Sequence, residues 1–245
     1  MTLVFVPEGS FSMGAAADFE PAEPDERPQR EVNLGSYWID STEVTVRMYR
    51  ACVEDDACSP PASADIPPDD HPIGGVTWHQ ADTYCQWAGR SLPSEAQWEK
   101  AARGEDGRRY PWGWIGGPES GGDMRLNLCD VNCPFDYRAE QFDDGYPRSA
   151  PVGTYPAGAS PYGALDMAGN LWEWTSDWYR ADEYKPTPTS NRTPSAEHEV
   201  RSIRGGSWAE TAWEGIALIS RASNRFWHPP DESRPDLGFR CSYTP

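Results

Sequence analysis

At 245 residues the chain can bury about 70–75% of the surface that its unfolded form exposes, and length alone leaves one or two domains open. Its 39 acidic against 21 basic residues give a net charge of -18, which repels phosphate backbones and anionic bilayer faces and argues against nucleic-acid and membrane-surface partners. The 12 Trp, 22 Gly and 24 Pro fit a loop-rich domain with an aromatic core and not a disordered chain, and no apolar run approaches the ~18 residues of a membrane span.

Leu3–Val6 and Ser10–Met13 flank the turn-forming Pro7-Glu8-Gly9 and read as strands, and Val32–Asp40 returns as another. Thr45 caps a first helix that runs to about Glu54, with Met48, Tyr49, Cys52 and Val53 on one face. The Pro-rich segment Ser59–Gly75 is a loop. Thr77 with Gln80, and Ser94 with Gln97, each form a reciprocal capping box opening a further helix; Gly89 and Gly104 end them. From Glu105 to Ala164 periodicity disappears, yet Trp112, Trp114, Phe135 and Tyr137 need burial. Ala181–Glu199 reads as an exposed polar loop, and strands return near Ser202–Trp208 and Gly238–Tyr243. Helices packed on short strands, with much of the chain in loops, predict one α+β domain over residues 1–245.

Cys52 and Cys58 lie six apart, Cys129 and Cys133 four apart, and Cys85 and Cys241 remain. An even count with two local pairs points to a disulfide framework and so to an extracellular or periplasmic setting. Zinc is the rival reading, but only Cys129-x₃-Cys133 loosely fits a metal-binding pair. Met1–Val6 is too short for a signal-peptide core, so the signal of an exported protein would have been removed or would lie upstream. Asn191-Arg-Thr193 has the form of a glycosylation sequon.

Several strings occur in a telling order. They are Phe5-Val-Pro-Glu-Gly-Ser-Phe-Ser-Met-Gly14, Asp40-Ser-Thr-Glu-Val-Thr45 and His71-Pro-Ile-Gly-Gly-Val-Thr-Trp78. Next come Tyr84-Cys-Gln-Trp-Ala-Gly-Arg-Ser-Leu-Pro-Ser-Glu-Ala-Gln-Trp-Glu99 and Asp166-Met-Ala-Gly-Asn-Leu-Trp-Glu-Trp-Thr-Ser-Asp-Trp178. Arg204-Gly-Gly-Ser-Trp208 and Leu237-Gly-Phe-Arg-Cys241 close the set. Over about residues 3–243 the chain resembles the formylglycine-generating (sulfatase-modifying factor) family. The resemblance implies a loop-rich variant of the C-type lectin fold, and a disulfide from Cys85 to Cys241.

It also implies what is missing. The family oxidises a substrate cysteine with oxygen, using copper held by two thiolates, and soft sulfur suits Cu(I). The first thiolate lies three positions beyond the Gly-Gly-Ser string and the second five further on, where this chain has Glu210 and Gly215. No copper is therefore expected, although the family's nearby Trp and Ser persist as Trp172 and Ser207. Related iron-dependent sulfoxide synthases take histidine ligands from an additional domain; His71, His79, His198 and His228 contain no i,i+3 or i,i+4 pair. A relative in siderophore maturation works as an oxidase without the cysteine pair; were this chain an oxidase of that kind, Glu210 would be its candidate acid–base group.

Calcium is the cofactor that the resemblance implies, in two sites built from carboxylates, an Asn and backbone carbonyls. Asn127, Leu128, Asp144 and Tyr146 match one site; Asp166, Gly169, Leu171 and Glu173 match the other. The tail offers Trp208, Trp213, Phe226, Trp227, His228 and Arg234, residue types that concentrate binding energy. Trp208 and Trp213 also suit a core, whereas Phe226-Trp227-His228 reads as an exposed loop. The expectation is a catalytically degenerate domain that recognises a protein or small-molecule ligand, with an oxidase of the same fold as the alternative.

Overall fold

The chain opens and closes on one sheet. β1 (Leu3–Val6) and β11 (Ser242–Tyr243) both run antiparallel to β4 (Tyr37–Asp40), in the order β1-β4-β11. This computed structural model describes residues 2–17, 22–63, 65–114, 117–120, 122–184, 199–210 and 218–245. A second sheet has the order β10-β7-β8-β9, built from β7 (Trp172–Trp178), β8 (Arg201–Arg204), β9 (Phe226–His228) and β10 (Leu237–Gly238). β2 (Gly9–Met13) and β3 (Arg30–Leu34) pair with each other, as do β5 (Glu119–Ser120) and β6 (Asp123–Met124). The architecture is α+β.

Helices α1 (Val46–Glu54), α2 (Trp78–Trp87) and α3 (Glu95–Arg103) begin where side chains satisfy their first free amides. Thr45 Oγ1 accepts from Met48 N at 3.3 Å. Thr77 and Gln80 exchange bonds of 3.2 and 2.9 Å, and Ser94 and Gln97 bonds of 3.1 and 2.8 Å. Gly104, at φ 72°, ends α3 in a conformation that disfavours a side chain.

Four sequence expectations are corrected. Val32–Asp40 is two strands belonging to different pairings, not one. The Ser202–Trp208 strand stops at Arg204, because Gly205 and Gly206 turn away with φ of 99° and 75°. Phe226-Trp227-His228 is an edge strand among the described residues, paired with Arg201–Ile203, although its first two side chains are exposed. Trp114 and Tyr137 stay 55% and 41% exposed, whereas Phe135 stacks between Tyr137 and Trp208. Of the expected Ala181–Glu199 loop, Ala181 and Asp182 are exposed, Tyr184 is buried, and residues 185–198 lie outside the described residues.

One apolar cluster packs α1 and α2 onto the second sheet through Tyr49, Tyr84, Trp174, Ile203 and Phe239. Another packs α3 onto the first sheet through Trp98, Ala101, Tyr37 and Ile39. Buried ion pairs link the elements. Arg225 grips Glu95 at 2.7 and 2.8 Å, Arg221 grips Glu26 at 2.7 and 2.6 Å, and Arg204 meets Glu99. Burial alone would raise the Glu95 carboxyl; the guanidinium groups of Arg225 and Arg204 outweigh it and hold it at about 2. No helix among the described residues is long and apolar enough to cross a membrane.

Candidate functional site

β7 fixes the floor of a cleft by presenting Trp172, whose backbone N–H donates to the Asp236 carbonyl at 2.9 Å. Beyond β8, the Gly205-Gly206 turn folds the chain back over that floor: Gly169 N donates to Gly205 O at 3.0 Å and Trp208 N to Asn170 O at 2.9 Å. The approach is close. A Cβ on Gly206 would lie 3.1 Å from Ile219, and one on Gly205 3.2 Å from Trp98.

That turn sets Ser207 and Glu210. Ser207 Oγ donates to Asp236 Oδ2 at 2.8 Å, and Arg234 grips the same carboxylate at 3.0 and 2.6 Å. Glu210 Oε1 accepts from the Trp172 indole Nε1 at 2.7 Å. Burial, outweighing that bond, raises the Glu210 carboxyl above its ordinary range. Over this pair opens a cleft of about 340 Å³, lined in part by Tyr179, Arg225, Phe226 and Trp227.

No thiol faces it. All six cysteines of the chain are joined, as Cys52–Cys58, Cys85–Cys241 and Cys129–Cys133. Of the expected ligand residues, Phe226 and Trp227 line the cleft, whereas His228 lies against Trp174 and Arg234 is held by Asp236. Gly215 and Trp213 lie outside the described residues, as does His198.

Two oxygen clusters sit behind the site. In the first, Asp144 accepts from Asn127 Nδ2 at 3.0 Å, Leu128 N at 2.8 Å and Tyr146 N at 2.8 Å. Asn127 Oδ1 is buried with no hydrogen-bond partner, and burial pushes the Asp144 carboxyl up to about 7. An orphaned acceptor beside a penalised carboxylate is what a hard cation would relieve, so these residues fit one.

The second cluster gathers Asp166, Glu173 and Glu43 around Arg240. Arg240 bonds both Glu173 oxygens at 2.7 Å, and Trp98 Nε1 donates to one of them at 2.9 Å. Glu43 accepts from Leu171 N and Asn170 Nδ2, each at 3.2 Å. Burial first, then the charges of Asp166 and Glu173, push the Glu43 carboxyl well above its usual range. Three buried carboxyls against one guanidinium leave negative charge that a proton or a cation must balance. Among the described residues no three His, Cys, Asp or Glu side chains close into a metal cage, so a cation would draw on carbonyls as well. The clusters adjoin: Gly169 is obligatory because a Cβ there would lie 2.2 Å from the Asn127 carbonyl.

The family model described as "Sulfatase-modifying factor enzyme 1-like domain" matches residues 1–244. The chain belongs to this family. It is 40% identical over 176 residues to a protein of Streptomyces coelicolor named formylglycine-generating enzyme, covering 70% of this chain and 52% of that one. It is 35% identical over 172 residues to a Bos taurus protein named inactive C-alpha-formylglycine-generating enzyme 2, covering 70% of this chain and 50% of the relative. The chain thus spans about half the length of these curated relatives. Among solved structures, PvdO from Pseudomonas aeruginosa shares the fold with a TM-score of 0.78 at 23% identity, over 99% of this chain and 94% of that one.

The family therefore includes members named as enzymes and members named as inactive. Sequence reading placed Trp172, Ser207 and Glu210 in one site but missed Asp236, Tyr179 and Glu43. Asp236 stands directly before the Leu237-Gly-Phe-Arg-Cys241 string, which was its available signal. Tyr179 directly follows the Trp172–Trp178 strand, so the end of that string pointed to it. Glu43 lies inside Asp40–Thr45, and nothing in that string marked it as a charge buried behind the cleft.

Proposed function

We propose that this member of the sulfatase-modifying factor family is a recognition domain that binds a protein or small-molecule ligand in the Trp172–Glu210 cleft and does not form formylglycine. The observation that carries the reading is the cleft's chemistry. A carboxylate stands where copper needs sulfur, and every cysteine is already oxidised in a disulfide. Three disulfides also fit a secreted or periplasmic setting. With copper and a cysteine peptide of the sulfatase type, the protein is expected to consume no oxygen and yield no aldehyde. Aldehyde formation would overturn the reading. Oxygen uptake with other substrates would favour an oxidase in which the raised Glu210 carboxyl serves as acid–base group.

Calcium belongs to the same proposal, held by Asn127, Leu128, Asp144 and Tyr146, and by Asp166, Gly169, Leu171 and Glu173. When bound it would supply charge balance and fasten loops, and it takes no part at the cleft. Calcium at about a hundredfold over its dissociation constant is expected to add ~2.7 kcal/mol of stability per site. Melting curves with calcium and with chelator measure this, and Asp144→Asn should remove most of the response of the first cluster. Identical curves in both conditions count against a structural ion.

A further inference from the structure

We infer that the cleft selects an organic cation, an ammonium or guanidinium group, and that Glu210 recognises its charge. The inference rests on the recognition reading above and names its ligand class. Trp172, Tyr179, Phe226 and Trp227 give the lining its aromatic walls. Phe226 and Trp227 remain 46% and 41% exposed while stacked on each other at 5.7 Å and 12°. Trp172 and Phe226 lie 5.8 Å apart, tilted by 33°. Aromatic faces attract cations through the negative centre of the ring, and more strongly where water is excluded.

The charges on the lining agree. Glu23, Asp25 and Glu210 contribute carboxyl groups. Arg225 is the lining's described cation, and its guanidinium is already engaged. It grips Glu95 at 2.7 and 2.8 Å and donates to the carbonyls of Asp25 and Arg180 at 3.0 and 3.1 Å. Tyr179 OH donates to Asp25 Oδ2 at 2.6 Å, holding that carboxylate at the wall. Glu210 is fixed by one indole N–H and forms no salt bridge among the described residues. An incoming cation would give its half-buried carboxylate a direct ion-pair partner, since the nearby Arg234 is held on Asp236. A chain of net charge -18 adds a long-range field of the right sign.

Tryptophan fluorescence of the full chain, titrated with choline and arginine amide, reads binding directly. Each cation is expected to saturate the signal, and 3,3-dimethylbutanol, the neutral isostere of choline, to bind at least tenfold more weakly. Glu210→Gln should weaken the cations about tenfold or more and leave the alcohol unchanged, with near-ultraviolet circular dichroism reporting an intact fold; Phe226→Ala supplies a second, exposed variant should that change disturb packing. Acetyl-Ala-Lys-Ala amide binding tenfold tighter than lysine amide assigns the cation to a peptide side chain; equal binding assigns it to a free amine. An alcohol that binds as well as choline, or no response to any cation at millimolar concentration, overturns the inference and leaves the recognition reading standing. Oxygen-dependent turnover of a bound cation would instead overturn the recognition reading while preserving the charge selectivity.

Discussion

Arg240→Met is expected to destabilise the protein by about 3–5 kcal/mol, the cost of leaving buried charge without its partner. Arg240 is 0% exposed and makes bonds that no neighbour can replace. Its guanidinium takes both Glu173 oxygens and donates to the carbonyls of Asp40, Leu165 and Asp166 at 3.1, 3.0 and 3.2 Å. The side chain thus joins the end of β4, the loop before β7, and β7 itself. Its removal also leaves Glu43, Asp166 and Glu173 facing one another without their guanidinium, so the cost is electrostatic as well as geometric. A loss of this size is a large share of the ~5–15 kcal/mol that a domain has in total. Urea denaturation compares the wild type with Arg240→Met and with the Arg240→Met/Glu173→Gln double variant. The double variant should recover part of the loss, because one of the stranded charges has gone. Arg240→Lys should also lose stability, since a lone ammonium cannot span the two Glu173 oxygens. A loss below about 1 kcal/mol in Arg240→Met would show that water or another cation reaches the cluster.

The sequence made local signals visible and long-range ones invisible. Thr45, Thr77 and Ser94 were recognisable as caps because the bonds involved span three residues. Strand β7 was missed for a physical reason. Trp172–Thr175 is buried at every position, so the alternation that marks a half-exposed strand is absent. Val32–Asp40 carries apolar residues on both sides of Gly35 and read as continuous, yet the two halves pair with different strands. Within the site, the order of the strings located Trp172, Ser207 and Glu210. The bonds that give them an environment could not be read that way. Tyr179 meets Asp25 across 154 positions, Asn170 meets Glu43 across 127, and Ser207 meets Asp236 across 29. The acidic composition hid these partners, because a carboxylate that closes a cleft looks in sequence like one that faces solvent.

Removing the Cys85–Cys241 disulfide is expected to cost more than removing either of the others, about 5 kcal/mol in the chain-entropy account. The ordering follows from what each bridge closes. Cys85 and Cys241 are 156 positions apart, whereas Cys52 and Cys58 are six apart and Cys129 and Cys133 four. A loop of six or so residues loses little freedom when closed, and the same account gives about 2 kcal/mol for it. The long bridge also joins elements that lie far apart in the chain. Cys85 belongs to α2, and Cys241 directly precedes β11, where its amide donates to Asp40 Oδ2 at 2.8 Å. Around it, Tyr84 packs on Phe239 with ring centroids 5.4 Å apart, and Ser91 and Ser242 exchange backbone bonds of 3.0 and 2.7 Å. Both sulfurs are sealed from solvent, so Cys85→Ala/Cys241→Ala also leaves a void, which adds to the loss. Cys52→Ala/Cys58→Ala supplies the comparison, because its bridge lies in the same apolar cluster and differs chiefly in loop length. Urea midpoints that fall equally in the two double variants would show that local packing, and not closure of the chain, sets the value of these bridges. A much larger fall for the long bridge would show that the last strand, and with it the Arg240 network beside the cleft, is held in place from α2.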